Sequence, residues 1–157
     1  MEETTLNQFL RDEYLQLQKT IEDFDSKILN IKNWSATFGS ATIGASFATH
    51  NVWVLITSIL GGLCFWILET NWKTFQMAYY ERNKELERFF AGEITGLKPF
   101  QIANTWFPKW QGYRGRLYYT VAWWRQVCLP HLVIIGFPVI VLGTVLVIWG
   151  VTLKYPF

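Results

Sequence analysis

Very little in this chain points to chemistry at a metal or a nucleophile. Its 157 residues contain only two cysteines, Cys64 and Cys128, and two histidines, His50 and His131. The cysteines lie within or at the edge of apolar segments, and nothing in their spacing suggests a disulfide framework or a zinc site. The histidines sit at the boundaries of apolar segments, far apart in sequence, with no partner at metal-ligand spacing. Nucleophile elbow, HExxH and phosphate-cradling glycine loop are all missing, which excludes the common hydrolase, zinc-peptidase and nucleotide-hydrolase signatures. We therefore expect no enzyme activity, no catalytic residues, no metal and no cofactor. Acidic residues are absent from residue 94 onward, where six bases remain, and residues 34–49 carry no charge. The polar, acidic N-terminus is unlike a cleavable signal peptide, so the first apolar segment is expected to direct insertion itself.

What the chain does have is apolar length and aromatic weight. Aromatic residues make up 18% of it, nine of them Trp, a load that suits a protein with two water–lipid boundaries to anchor. Residues 52–70 and 132–151 are hydrophobic segments long enough to enter a bilayer. Residues 71–131 between them hold nine of the fourteen Lys and Arg residues. Bases beside membrane spans stay on the cytoplasmic side, so this block is expected to lie inside the cell.

Residues 5–33 read as a helix. Leu10, Tyr14, Leu17, Ile21, Phe24, Ile28 and Ile31 follow spacings of 4, 3, 4, 3, 4 and 3, a heptad seam that must bury against something. The seam can pack on another helix of the same subunit. It can also self-associate, which makes Leu10, Tyr14, Leu17, Ile21, Phe24 and Ile28 the candidate oligomerisation surface. In 34–49, Ala36, Ser40, Gly44 and Ala48 recur every four residues, a pattern that lets helix backbones approach closely in lipid. His50 and Asn51 break the run before the second span, and residues 71–91 continue as an amphipathic helix that Gly92, Gly96 and Pro99 end. Residues 92–117 read as irregular around Pro108, Gly112 and Gly115. Residues 118–128 read as an interfacial helix, with Pro130 marking the boundary of the last span. Gly136, Gly143 and Gly150 form one close-packing stripe on that span.

The expected fold is an all-α integral membrane protein with three transmembrane helices and a long antiparallel helical hairpin extending into the cytoplasm. Its parts are a cytoplasmic heptad helix (1–33), a transmembrane hairpin (34–70), an amphipathic helix (71–91) and a basic-aromatic loop (92–128). A third span (129–151) and an outside tail (152–157) complete it. This places thirteen of fourteen bases in the cytoplasm and only Lys154 outside. A two-span arrangement would strand Arg11, Lys19, Lys27 and Lys32 outside, which disfavours it. The expected location is the bacterial inner membrane, N-terminus cytoplasmic and C-terminus outside.

Three candidate sites follow. Ser35, Thr42, Ser46 and Thr49 share a helical face, which either lines a pore in a ring of such helices or bonds to its own helix and packs inward. In the basic-aromatic loop Lys109, Arg114, Arg116 and Arg125 alternate with aromatics that include Trp110 and Tyr113. That composition anchors a protein to anionic headgroups, and it also binds a nucleotide or single-stranded oligonucleotide. Glu69 and Lys73, four residues apart where the second span leaves the membrane, suit an intrahelical ion pair.

The stretch Trp72-Lys73, Gln76, Tyr79-Tyr80, Arg82 and Leu86-Glu87 resembles an element that follows a transmembrane hairpin in many small bacterial membrane proteins, Trp-Lys-x-x-Gln-x-x-Tyr-x-x-Arg. The overall plan resembles small transmembrane effectors of anti-phage and nucleotide-signalling systems, the channel-like component of the Hailong type among them. The resemblance implies a homo-oligomeric inner-membrane channel or pore-forming effector gated by an anionic nucleotide or oligonucleotide. Its partners would be membrane lipids, that signal and a cytoplasmic signalling protein. The competing class is a non-conducting scaffold that recruits a cytoplasmic partner. Charge removal at Arg114 and Arg116 distinguishes the two uses of the loop. Salt-sensitive oligonucleotide binding is lost if the loop holds a ligand, and membrane association or stability falls instead if it is an anchor.

Overall fold

The computed structural model describes residues 3–154, with side chains placed through residue 149. Residues 155–157, the end of the expected outside tail, lie beyond the described residues, as does the environment of Gly150. The chain is all-α, with five helices and no strand among the described residues. They are α1 (Glu3–Thr49), α2 (Val54–Phe90), α3 (Ile102–Tyr113), α4 (Arg116–Ala122) and α5 (Arg125–Lys154). Two compact units result, Met1–Leu29 with Thr70–Val121 and Asn30–Glu69 with Ala122–Phe157. Helices α1 and α2 each contribute a segment to both.

Both long helices stop by the same backbone device. After α1, the His50 N–H bonds to the Phe47 carbonyl and the Asn51 N–H to the Ser46 carbonyl. After α2, the Gly92 N–H bonds to Phe89 and the Glu93 N–H to Arg88. Each is a paired closure of the last turn through a left-handed residue, His50 at φ 51° and Gly92 at φ 78°. Glycine accepts that conformation freely, whereas His50 holds it against its own Cβ.

In the first unit the heptad seam is filled by the same chain. Leu10 and Leu17 form a buried cluster with Leu86, against which Leu6, Tyr14, Tyr79, Phe89, Leu97 and Ile102 pack. Ile21, Phe24 and Ile28 are buried too, and Tyr14 is half-buried with its hydroxyl 3.3 Å from Glu87 Oε1. The surface expected to serve self-association is thus consumed inside the subunit, because α2 presents a complementary stripe. That stripe is Trp72 followed by Lys73, Gln76, Tyr79 and Arg82, the last four at three-residue spacing. Trp72 and Tyr79 pack on Phe24. Gln76 Nε2 donates to the Ile21 carbonyl and to Asp25 Oδ1, and Lys73 reaches Gln76 Oε1 and Asp25.

Arg82 ends the series. Its Nε donates to Glu13 Oε1 at 2.8 Å, and its two terminal nitrogens reach Glu85 and the Lys98 carbonyl. Glu13 Oε2 in turn accepts the Phe100 N–H at 2.8 Å, which holds Phe100 at φ 60°. Burial alone would lower the guanidinium pKa, but the hydrogen bonds and charges of Glu13 and Glu85 outweigh it and raise it. One buried ion pair therefore joins α1, α2 and the loop before α3.

In the second unit the helices approach at glycines. A Cβ on Gly39 would lie 2.5 Å from the Ile134 Cγ2 of α5, and one on Gly61 2.2 Å from the Phe38 ring. At Gly136 and Gly143, expected to be a packing stripe, an added Cβ would meet nothing within 4 Å in the subunit. Among the described residues two helices are long and apolar enough to cross a membrane, within Val54–Phe90 and Arg125–Trp149. The 34–49 stretch, expected as a third, falls short of that hydropathy. It is the end of a 47-residue helix whose Ala, Ser, Thr and Gly content gives it too little hydropathy. The region read as irregular holds α3 and α4, and α5 begins at Arg125 and runs through Pro130. Each internal proline removes only one helical hydrogen bond, and packing retains the helix around it.

Leu17→Ala is expected to cost about 2–5 kcal/mol. Glu13→Ala is expected to cost about 3–5 kcal/mol, by removing the buried counter-charge of Arg82 and the acceptor of the Phe100 N–H and leaving only the half-buried Glu85 carboxylate. Denaturant unfolding in detergent, followed by far-ultraviolet circular dichroism, measures both.

Candidate functional site

The hydroxyl face of α1 does not form an open stripe. Ser35 is fully buried and Ser46 is 6% exposed, Thr42 is half-buried, and of the four only Thr49 is exposed. Ser46 Oγ donates to the Asn51 carbonyl. Thr42 donates to the Phe38 and Gly39 carbonyls, and Thr49 to that of Ala45. A signal for this was present in the chain. Ser35, Thr42 and Thr49 lie seven, fourteen and twenty-one residues after Ile28, so they continue the heptad position that faces the partner helix. A straight helix drifts about 20° per heptad from that seam, consistent with Thr49 having turned outward.

Ser35 is part of a chain of polar side chains that the sequence reading did not assemble. Ser35 Oγ lies 3.0 Å from His131 Nδ1, and His131 Nε2 lies 2.9 Å from Glu69 Oε2. Lys32 Nζ lies 3.3 Å from Glu69 Oε1. Ser35, Glu69 and His131 are all fully buried, while the Lys32 side chain is 25% exposed. Three helices contribute, α1 with Lys32 and Ser35, α2 with Glu69 and α5 with His131. The expected Glu69–Lys73 ion pair is replaced. Glu69 faces α1 and α5 within the second unit, and Lys73, one turn on, binds Asp25 and Gln76 in the first.

The donors in this chain are assigned from chemistry. An ionised carboxylate only accepts, so the neutral imidazole carries its proton on Nε2 and donates to Glu69. Nδ1 then accepts the Ser35 hydroxyl proton. Lys32 is a looser partner, because Glu69 Oε1 has the ionic contact but no directed hydrogen bond. The Ser–His–Glu order resembles a hydrolytic triad in composition only. Ser35 has no exposed surface for a substrate to reach. Buried ionisable groups on apolar helices instead mark proton or ion chemistry, or a structural clasp. No local spacing links residues 32, 69 and 131, which explains why sequence reading left the chain unassembled.

The basic-aromatic residues divide. Lys109, Trp110, Tyr113 and Arg114 lie on or just after α3, Arg116 starts α4, and Arg125 starts α5 in the other unit. The Trp110 ring stacks on Trp106 at 5.3 Å and 10°, contacts Phe75 and Phe107, and carries the Arg114 guanidinium 5.0 Å above it. Lys109 pairs with Glu81 at 3.6 Å. Burial, and secondarily the Glu81 charge, push the Tyr113 phenol pKa up. Trp106 Nε1 also donates to the Phe75 carbonyl. These rings form a packing cluster that fixes α3 on α2, with Lys109, Arg114 and Arg116 left at its surface. Among the described residues no group of three His, Cys, Asp or Glu side chains could hold a metal ion.

Ser35→Leu is expected to destabilise the second unit by about 1–3 kcal/mol, through overpacking and the loss of the hydroxyl facing Nδ1. Thr49→Leu, at an exposed position, is expected to change stability by less than about 0.5 kcal/mol. Thermal unfolding in detergent compares the two. Comparison of the chain with protein-family models, with curated proteins and with solved structures finds no match.

Proposed function

We propose that this is a bacterial inner-membrane protein that assembles into a homo-oligomeric channel-type effector. Its three spans would be the second half of α1, the first half of α2, and α5, with the N-terminus cytoplasmic and the C-terminus outside. The observation that carries the reading is the outward side of α1. Ala36, Thr37, Ser40, Gly44 and Ala48 are all exposed, and a Cβ on Gly44 would meet nothing within 4 Å. Apart from the exposed Phe47 and Trp34 at its edges, this surface is small and partly hydroxylated, so it lets a second backbone approach closely. Helix α5 has the opposite character. Val133, Ile140 and Val147, seven residues apart, are 70%, 67% and 66% exposed and suit acyl chains.

A ring with α1 inside and α5 outside satisfies both surfaces. In it Thr37 and Ser40 line the path, in place of the inward-facing Ser35, Thr42 and Ser46. Arg114 and Arg116 remain the surface where a nucleotide or oligonucleotide signal would act, and a cytoplasmic signalling partner would meet the chain through the first unit.

Purified protein in liposomes, assayed for ion flux with its oligomeric mass taken from the same sample, tests this. A discrete oligomer that conducts is expected. Gly44→Leu is expected to shift the mass toward smaller species and to lower flux at least about tenfold. Ser40→Leu should keep the mass and lower the flux. A discrete oligomer that stays silent before and after nuclease treatment would replace the channel with a scaffold.

A further inference from the structure

Glu69 has two competing counter-charges, and they differ in how firmly they hold it. His131 meets Oε2 at 2.9 Å, and both side chains are without exposed surface. Lys32 meets Oε1 at 3.3 Å in an ionic contact without a directed hydrogen bond, and its side chain is 25% exposed. When the imidazole is neutral, only Lys32 balances the carboxylate.

A proton can be added to this chain with both side-chain contacts of His131 kept as hydrogen bonds, the one to Ser35 reversed in direction. On arrival at Nδ1 it makes the imidazole a donor at both nitrogens. Nε2–H still donates to Glu69, and Nδ1–H now donates to Ser35 Oγ, whose hydroxyl turns to offer a lone pair. The imidazolium also supplies the charge that Glu69 needs. Lys32, already partly in water, is then free to leave.

We propose that Ser35, His131, Glu69 and Lys32 form a proton-binding site, in which uptake of one proton by His131 exchanges it for Lys32 as the counter-ion of Glu69. The balance is simple: one proton enters from water at Nδ1, no covalent bond between heavy atoms changes, and the Lys32 ammonium moves outward still protonated. The elements of this unit bring few other titratable groups. Helix α1 offers only Lys32 before His50, which follows its far end. The 54–69 stretch of α2 offers Glu69 and Cys64, and Cys64 is exposed. On α5, Arg125 is exposed, and the Cys128 thiol donates to the Trp123 carbonyl. The site rests on side-chain geometry and not on conduction.

The two-histidine composition makes the test direct. A His50→Asn background, suited to the left-handed backbone at that position, leaves His131 as the sole imidazole. The full chain, labelled with 15N-histidine and held in lipid nanodiscs, reports tautomer and protonation by nuclear magnetic resonance. At high pH the Nε2–H tautomer is expected, and acidification should add the proton at Nδ1. Lys32→Met should move this uptake to higher pH, because Glu69 then has only the imidazolium to balance it. Glu69→Gln should move it to lower pH, and Ser35→Ala should do the same by removing the acceptor of Nδ1–H. Shifts of about one pH unit are the expected size for loss of an adjacent charge, and each midpoint describes the coupled cluster. Opposite shifts are the signature, since a merely structural contact would not move the two charge variants apart. Shifts in the same direction, midpoints unchanged from the parent, or an Nδ1–H tautomer at high pH would overturn the site. If Glu69→Gln fails to fold, the opposed shifts of Lys32→Met and Ser35→Ala decide the matter alone.

Discussion

A carboxylate with no exposed surface must have its charge answered by groups the fold itself supplies. Glu69 is such a group, and the second unit is organised around answering it. Lys32 comes from α1 and His131 from α5, so the acid brings together three helices that are otherwise joined by apolar and glycine contacts. Neutralisation at this position would be expensive to lose, because a buried unpaired ion costs several kcal/mol. The arrangement also explains the state of Ser35. Its hydroxyl is the far end of a hydrogen-bond chain and is fully committed there.

The first unit solves the same problem with different residues. Glu13 is buried on the heptad helix, and Arg82 reaches it from α2 while bonding Glu85 and the Lys98 carbonyl. The pair does more than cancel charge. Through the Phe100 N–H it fixes a loop residue at positive φ, which starts the approach to α3. Helix α3 then needs no fully buried residue of its own, since Trp106 and Trp110 clamp it onto Phe75. Arginine suits this role because its planar fork serves three acceptors at once.

The division of labour between faces follows from these two clasps. Once the inward side of α1 is used from Leu10 to Ser46, the side left for other contacts carries small residues from Ala36 to Ala48, with the exposed Trp34 and Phe47 beside them. Helix α5, buried at Val127, Cys128, His131 and Pro138 but exposed over most of its described length, presents branched apolar side chains instead. Small residues in lipid favour helix contact, and branched apolar ones favour acyl chains. The contrast between the two faces supports an assembly in which they point to different surroundings.

The amino-acid sequence by itself determined the helical character, the two long helices and their stops. Period 3.6 and the heptad spacing from Leu10 to Ile31 are local properties, as are the breaks at His50, Gly92 and Gly96. It also determined where apolar length suffices for a membrane, at residues 52–70 and 132–151. Tertiary structure decided the rest, because each remaining question turns on residues distant in the chain. The heptad seam was legible, but its partner was not, since Leu86 and Arg82 are some seventy residues away from it. Pro108, Gly112 and Gly115 read as breaks, yet the α3 helix persists through Pro108, because stacking of Trp106 and Trp110 outweighs a lost hydrogen bond. The hydroxyls of α1 shared a face on any helical wheel. Whether that face met water or protein depended on the close approach of α2 and α5 at Gly61 and Gly39. Glu69 was paired with its sequence neighbour Lys73, whereas the fold gave it Lys32 and His131, because charge pairing in a low-dielectric interior is settled by which helices come together.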